Sequence, residues 1–243
     1  DDLVRGDMGI LWWGEPGPKP FPDRGGRNPA PLAANGRLFV QANRMIYGMD
    51  AYNGSILWTL STPEIRRSNI PRDGSNMAAA DDYLYLAEGR HALGIDAQTG
   101  ERKLRFSAPE NRHWAFMAVA GNQLLGSSAK PDSSYIADAG EWYDSTKAPE
   151  IARVVSDSLF SFDRRTGKEL WKHAGSLIMN SSVTIGDGVV YFVESRNDES
   201  SKLATSRVAP ESLNKQYLVA LDQVTGRKLW EKPVDFSKCE VML

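Results

Sequence analysis

The chain has 243 residues, of which 41% are hydrophobic and 25% charged, and its formal net charge is −2. This length can bury a large core, and the near-neutral charge gives no basic footprint for nucleic acid. No apolar run approaches the roughly 18 residues that a membrane-spanning helix needs, and a single cysteine, Cys239, excludes an internal disulfide and a cysteine metal cluster.

The N-terminal residues, Asp1 and Asp2, offer neither the basic region nor the apolar core of a signal peptide. A mature or excised segment would begin in the same way, so these residues leave the compartment open. The first recognisable element is RGDMGILWW, in which Gly9 and Trp13 have the spacing of a motif that recurs four times after it. Arg5 stands where that motif has Asp, and we expect residues 1–14 to be the end of a preceding repeat unit.

Beyond residue 30, two turn signals alternate along the chain. The first is a tight turn between two β-rich runs, at residues 35–36, 81–82, 121–122 and 187–188. Its first copy is Asn-Gly, a strong hairpin signal because type I′ turns need positive φ at both central residues. The second signal is Asp-x-x-Thr/Asn-Gly, then three further residues, then Trp in three copies and Leu in one. Its residues are Asp50, Gly54 and Trp58; Asp96, Gly100 and Leu104; Asp163, Gly167 and Trp171; and Asp222, Gly226 and Trp230.

The second signal also predicts a hairpin, because Asp can accept hydrogen bonds from the turn backbone while Gly takes the left-handed conformation. Each unit therefore has four strands, A to D, and the large ring on strand D can cover the next unit. Four-stranded units at a spacing of roughly 40 to 45 residues indicate a β-propeller. We predict an all-β chain that is one propeller segment over 1–243, with four-stranded antiparallel blades at about 31–62, 75–108, 114–175 and 180–234.

Two polar segments interrupt the regular spacing, from Ser128 to Ser156 and from Ser195 to Lys215, and both lie between strands B and C. They lack a sustained period and are predicted to be loops. After Trp230 we expect residues 236–243 to belong to strand A of a following blade. The partial units at both ends predict a segment of a larger ring of seven or eight blades.

The two kinds of connection lie on opposite faces of a propeller. The A–B and C–D turns form one face, here called the turn face, and the B–C and D–A connections form the other, the loop face. All the irregular segments fall on the loop face, and binding residues favour loops held on a rigid scaffold. We therefore expect the functional site there; that these are merely variable loops is the alternative.

Residues just before each strand A should surround the central axis on the loop face. Their asparagine amides could bind a polar ligand or simply cap the turn into strand A. The arginines could clamp a carboxylate or phosphate, or belong to a surface of paired charges, and the tryptophan could stack on a flat ring or pack in the core. These funnel candidates are Asn28, Arg72, Asn76, Arg112, His113, Trp114 and Asn180.

Catalytic constellations and metal-ligand spacings are absent from the sequence. None of the three histidines is in a His-x-x-x-His pair, and neither Gly-x-Ser-x-Gly nor a Gly-rich phosphate loop occurs. The acidic residues of the first insertion, Asp138, Glu141 and Asp144, do not have the spacing of a known cation-binding loop. We predict no catalytic residue and no metal site, and we assign the recurrent Asp to its turn.

The segments LDQVTGRKLW, FDRRTGKELW and MDAYNGSILW resemble the repeat of the pyrroloquinoline-quinone-type (quinoprotein-like) propeller family. One branch of that family contains alcohol dehydrogenases that hold the quinone and calcium in the funnel, with an Asp base and a vicinal Cys-Cys pair. Another branch contains non-catalytic propellers, including the scaffold lipoprotein of the bacterial outer-membrane assembly machinery. This chain has no vicinal cysteine pair, and no Glu/Asn/Asp calcium set can be matched to it.

The resemblance implies a non-catalytic binding or scaffold module that acts through its loop face, without a cofactor. The expected partner is a protein or a small polar ligand, in addition to the remaining blades of the parent protein, and by family analogy the compartment is periplasmic or exported. No nucleic acid and no transmembrane segment are expected. The alternative is part of an alcohol or sugar dehydrogenase-like oxidoreductase that uses pyrroloquinoline quinone with calcium.

Overall fold

The computed structural model describes residues 31–42, 44–63, 76–131, 155–197, 202, 206 and 213–235, which contain sixteen strands. Blade 1 consists of β1 (Leu32–Ala34), β2 (Arg37–Ala42), β3 (Met45–Asp50) and β4 (Ile56–Ser61). Blade 2 consists of β5 (Met77–Ala79), β6 (Tyr83–Glu88), β7 (His91–Asp96) and β8 (Arg102–Ser107). Blade 3 consists of β9 (His113–Ala120), β10 (Gln123–Ala129), β11 (Val155–Asp163) and β12 (Glu169–Met179). Blade 4 consists of β13 (Thr184–Gly186), β14 (Val189–Ser195), β15 (Gln216–Asp222) and β16 (Lys228–Val234).

Each blade is an antiparallel sheet whose strands pair in chain order. These four-stranded units confirm the predicted all-β propeller architecture, and within the described ranges they do not close into a ring. The predicted partial blades at 1–14 and 236–243 lie outside the described residues. The three largest apolar clusters lie between successive blades, so face-to-face packing of the blades forms the core.

Blades 3 and 4 share one continuous sheet because β12 runs beyond its own blade. Its residues Leu177 and Ile178 pair with Ser195 and Glu194 of β14 after a register shift in the β11–β12 ladder. The strand thus continues through 176–179, between the two predicted blades. Burial explains the continuation, since Ile178 is fully buried and its backbone groups need strand partners there.

The recurrent Asp and Gly shape each C–D turn. Asp50 Oδ1 accepts hydrogen bonds from the backbone N–H groups of Tyr52 and Asn53, at 2.8 and 3.0 Å. The recurrent glycines have φ between 69° and 76°, a conformation that strains any residue with a Cβ. Hydrogen bonds from the Thr of the motif, through its N–H and hydroxyl, lower the pKa of the carboxylates of Asp96, Asp163 and Asp222.

The recurrent Trp of one blade packs on the recurrent Gly of the next. Trp58 Nε1 donates to the carbonyl of Ala97 at 3.0 Å, and its ring covers Gly100, where a Cβ would lie 2.7 Å from the ring. Trp171 covers Gly226 in the same way, with 2.6 Å between that Cβ position and Cδ2, and donates to the equivalent carbonyl at 2.8 Å. The motif therefore forms the contact between blades 1 and 2 and the contact between blades 3 and 4, here called seams.

The seam between blades 2 and 3 is built differently, because Leu104 replaces the tryptophan. Tyr85 of strand B donates its hydroxyl to the Arg164 carbonyl at 3.0 Å, the position that accepts from Trp in the other two seams. Phe106 lies against Gly167, 3.9 Å from the position of a Cβ. A tyrosine and a phenylalanine together thus supply the hydrogen bond and the apolar cover of one tryptophan.

Candidate functional site

Asn76 lies at the loop-face entry to strand A of blade 2, where the sequence predicts it. Its Nδ2 donates to Gln41 Oε1 at 3.0 Å, across the seam between blades 1 and 2. Both side chains are buried, and Gln41 Nε2 has no hydrogen-bond partner. Asn76 therefore joins two blades rather than projecting toward solvent.

Asn180 has a similar position between blades 3 and 4. A short 3₁₀ turn, Asn180–Ser182, follows β12 and turns this side chain inward. Its Oδ1 accepts from the hydroxyls of Ser127 and Ser156 at 2.9 and 2.7 Å, and these two hydroxyls are 2.8 Å apart. All three side chains are buried. The amide thus fixes the inner ends of strands B and C of blade 3 against blade 4.

Beside this triangle, the predicted funnel candidate Arg112 forms an ion pair with Asp157, which the sequence does not single out. Its Nε lies 2.9 Å from Asp157 Oδ2; the pair is held by charge, since this N–H has no aligned hydrogen-bond acceptor. Asp157 Oδ1 accepts from Ser128 Oγ at 2.8 Å, and Ser128 Oγ lies 2.6 Å from Ser158 Oγ. Side chains of Arg112 and Asp157 are 28% and 27% exposed, so this pair reaches the surface of the loop face.

The remaining funnel candidates occupy different environments. Trp114 is buried in the apolar core, with its ring at 87° and 4.9 Å from Phe160. Gly126 makes room for it, because a Cβ there would lie 2.3 Å from the indole. Trp114 thus packs in the core, which was the alternative to stacking on a ligand. Its Nε1 has no hydrogen-bond partner. His113 begins β9 and is partly buried. Asn28, Arg72 and the acidic residues Asp138, Glu141 and Asp144 lie outside the described residues.

The two insertions share one base, which the sequence does not reveal. Ser206 belongs to the second insertion, but its carbonyl accepts from Val155 N at 2.8 Å and its Oγ accepts from Lys130 N at 2.9 Å. Lys130 and Val155 lie at the two ends of the first insertion, and Ser206 is buried. Leu213 of the second insertion also packs on the apolar cluster around Val155. The B–C connections of blades 3 and 4 therefore start from a common platform.

A charged cluster holds the start of the second insertion. Arg196, just after β14, donates from Nη1 and Nη2 to the carboxylate of Glu231 at 2.9 and 2.7 Å, and from Nε to Glu194 at 2.7 Å. Its guanidinium lies 4.1 Å from the ring centroid of Tyr217. Burial raises the pKa of Glu194, but hydrogen bonds from His173 and Arg196 outweigh it and leave that pKa lowered. Glu194 is thus an ionised, buried anchor for the insertion.

The turn face carries an open pocket of about 500 Å³ at the third C–D turn. Its polar lining groups already have partners: Asn122 Nδ2 donates to Asp163 Oδ2 at 2.8 Å, and Arg164 pairs with Asp82 outside the pocket. Arg165 Nε also donates to Asp82, at 3.0 Å. The carboxylates here are occupied by structural contacts, so the candidate site is the loop-face platform of blades 3 and 4. Across the described ranges, no group of three His, Cys, Asp or Glu could hold a metal ion.

The family described as Outer membrane protein assembly factor BamB matches residues 11–125 and 150–240 of this chain. The match covers most of the chain and includes all four complete C–D motifs. No curated protein sequence matches the chain. In the part of the chain that the structure describes, no helix has the length and apolar character to cross a membrane.

Several solved structures are similar. BamB from Moraxella catarrhalis is 17% identical, with a TM-score of 0.47, covering 83% of this chain and 47% of that one. Quinohemoprotein alcohol dehydrogenase from Comamonas testosteroni is 16% identical, with a TM-score of 0.56, covering 85% and 35%. Quinohemoprotein alcohol dehydrogenase ADHIIG from Pseudomonas putida HK5 is 12% identical, with a TM-score of 0.54, covering 83% and 33%. The dehydrogenases share the fold, and this chain spans less than half the length of each of the three proteins.

Proposed function

We propose that this chain, which belongs to the family of the outer membrane protein assembly factor BamB, is a non-catalytic scaffold that holds a protein partner on its loop face. The family's description names an outer membrane protein assembly factor, which favours a protein as the bound partner. By the same reasoning we propose a periplasmic location. The proposed binding surface is the platform at the base of the two insertions.

The single observation that carries the proposal is the position of Ser206. One residue of the second insertion bonds to both flanks of the first, through its carbonyl and its hydroxyl. Two long connections that start from one fixed base can present a single composite surface. Loops on a rigid scaffold are the usual carriers of binding residues.

The structure beneath the platform is suited to a rigid scaffold. Asn180, Ser127 and Ser156 are buried and hydrogen-bonded to one another across the seam. A buried polar network of this kind specifies one arrangement of the blades, because breaking a bond would leave a buried group unpaired. The platform therefore holds its shape before a partner arrives, which lowers the ordering cost of binding.

We also propose that the chain works without a resident quinone and calcium. The single cysteine cannot form the vicinal pair of the dehydrogenases. Calcium prefers several carboxylate and carbonyl oxygens, but the carboxylate beside the funnel candidates, Asp157, is already paired with Arg112 and Ser128. The carboxylates of Glu194 and Glu231, at the start of the second insertion, are paired with Arg196. The other described polar groups around the platform are serine hydroxyls and amides, so the set does not fit that cofactor.

Site-specific photo-crosslinking in the full-length protein tests the binding face. A photoreactive amino acid is introduced at Lys130 or Asn197 on the loop face, and at Gln98 or Val224 on the turn face as exposed controls. We expect a protein partner to crosslink in the native host from the two loop-face positions and not from the controls. Crosslinking to the same partner mainly from the turn-face positions would overturn the proposal.

The cofactor proposal has a separate test. The full-length protein is incubated with pyrroloquinoline quinone and calcium chloride, dialysed, and examined for quinone absorbance. We expect no quinone to remain bound. Stoichiometric retention would contradict the cofactor-free scaffold and favour the oxidoreductase.

A further inference from the structure

The outermost strand of each blade is an edge whose backbone is open on one side, except where the end of β12 pairs with β14. Natural proteins protect such edges with charges or proline. Three of the four outermost strands in the described residues follow this rule. β8 contains Arg102, Lys103 and Arg105; β12 contains Glu169 and Lys172; and β16 contains Lys228, Glu231, Lys232 and Pro233. β4 of blade 1 has the sequence ILWTLS, with neither a charge nor a proline.

The repeat provides an internal comparison, because each residue of β4 has counterparts at the same motif position. Ile56 is 52% exposed, and the other blades have Arg, Glu and Lys at its position. Leu57 is 47% exposed, and Tyr52 in the preceding turn is 72% exposed. Blade 1 therefore exposes three large apolar side chains along one hairpin, where blade 2 has Gln, Arg and Lys. Blade 4 also exposes three, Val224, Leu229 and Trp230, but its outermost strand has the charges and the proline that β4 lacks.

The backbone of β4 offers hydrogen bonds at the same place. In an antiparallel ladder, the backbone groups of alternate residues point toward the neighbouring strand and away from it. Thr62 N donates to the carbonyl of Arg44 at 2.9 Å, so the backbone groups of Thr62, and of Leu60 and Trp58 before it, point toward β3. The N–H and C=O of Thr59 therefore point outward. Among the described residues, none forms a hydrogen bond with either of these two groups.

We propose that the β4 edge, defined by Ile56, Leu57 and Thr59 together with Tyr52, binds an extended apolar strand of a protein partner. The strand would pair its backbone with Thr59 and pack apolar side chains on Ile56, Leu57 and Tyr52, the recognition mode known as β-augmentation. An extended strand fits because the open groups are those of a sheet edge, and an apolar one because the exposed large side chains beside them are Ile56, Leu57 and Tyr52. The open stretch ends at Ser61, whose carbonyl accepts from Arg102 Nη2 of blade 2 at 2.9 Å. This surface lies on the outer rim and is distinct from the loop face.

Binding of a defined peptide to the full chain tests the proposal. The probe is a fluorescein-labelled ten-residue peptide of alternating Val and Thr, with one Lys at each end, followed by fluorescence anisotropy. Leu57→Lys places a charge on the edge, and Thr59→Pro removes the outward N–H without removing a β3–β4 hydrogen bond. The matched control is Leu170→Lys, at the same motif position in blade 3 and 44% exposed.

We expect Leu57→Lys and Thr59→Pro each to weaken peptide binding by about tenfold or more, and Leu170→Lys to leave it unchanged. Amide hydrogen exchange of Thr59 should slow when the peptide binds the unmodified chain. Urea unfolding of each variant shows whether its fold is intact, and Leu57→Lys decides the question if Thr59→Pro does not fold. No binding, equal binding to all variants, or a dimer formed through β4 that excludes the peptide would overturn the proposal.

Discussion

Replacing Gly226 by alanine tests whether the Trp of one blade is locked onto the turn of the next. The new Cβ would lie 2.6 Å from Trp171 Cδ2, 2.7 Å from Cγ and 2.8 Å from Cε3. Gly226 also has a φ of 69°, which is strained for alanine. Gly188 separates the two effects, because it has a φ of 74° and nothing within 4 Å of its Cβ position.

The expected cost follows from these distances. Gly188→Ala carries only the left-handed backbone penalty, about 1 to 2 kcal/mol. Gly226→Ala carries the same penalty and must also displace the indole, because favourable carbon contacts lie at about 3.5 to 4.0 Å. That displacement overpacks the seam and weakens the 2.8 Å hydrogen bond from Trp171 Nε1. We expect Gly226→Ala to cost about 2 kcal/mol more than Gly188→Ala.

Urea unfolding followed by circular dichroism measures both costs in the same chain. In a Trp171→Ala background the ring is absent, so the cost of Gly226→Ala should fall to that of Gly188→Ala. This background is itself expected to be less stable by about 3 to 5 kcal/mol. Equal costs for the two glycine variants, or an unchanged cost of Gly226→Ala without the indole, would refute the locking of Trp on Gly.

Three further predictions concern single contacts. Hydrogen bonds from Arg196 and then Lys228 lower the pKa of Glu231 from 4.5 to about 2. Because the folded value is the lower one, this stabilisation is complete above pH 4.5 and is lost as pH falls toward 2; thermal unfolding of Glu231→Gln should therefore depend less on pH in that window. Tyr85→Phe removes the hydroxyl that bonds the next blade and should cost about 1 to 2 kcal/mol in urea unfolding, whereas no loss would contradict its role. Ser206→Ala removes the hydroxyl that accepts from Lys130 N, so hydrogen exchange of the Lys130 amide should become faster. The Val155 amide, which donates to the Ser206 carbonyl, should exchange at an unchanged rate, and equal acceleration of both amides would contradict the shared base.

The fold could be predicted because its signals are local and repeated. Asp50 and Gly54 act within one turn, so a single copy of the motif contains its own explanation. The seam between blades 2 and 3 could not be predicted in the same way. Tyr85 replaces the hydrogen bond of a tryptophan at another position, on a different strand, and only the packed blades bring it to the Arg164 carbonyl.

The candidate site was harder to predict than the fold. The sequence predicts that Asn76 and Asn180 lie at the entries to strand A. It does not predict the residues that form hydrogen bonds with them. Ser127 and Ser156 were missed, although consecutive or alternating serines on two strand ends could have indicated a polar seam. Ser206 gave no signal, because a contact between two long insertions leaves no period or spacing in the sequence.

The central claim is that the loop-face platform of blades 3 and 4 holds a protein partner. A cryo-electron microscopy structure of the full-length protein bound to its crosslinked partner tests it most directly. We predict that the partner contacts both insertions above Lys130, Val155 and Ser206 and leaves the C–D turns free. A partner seated on the turn face, with the platform uncovered, would contradict the account.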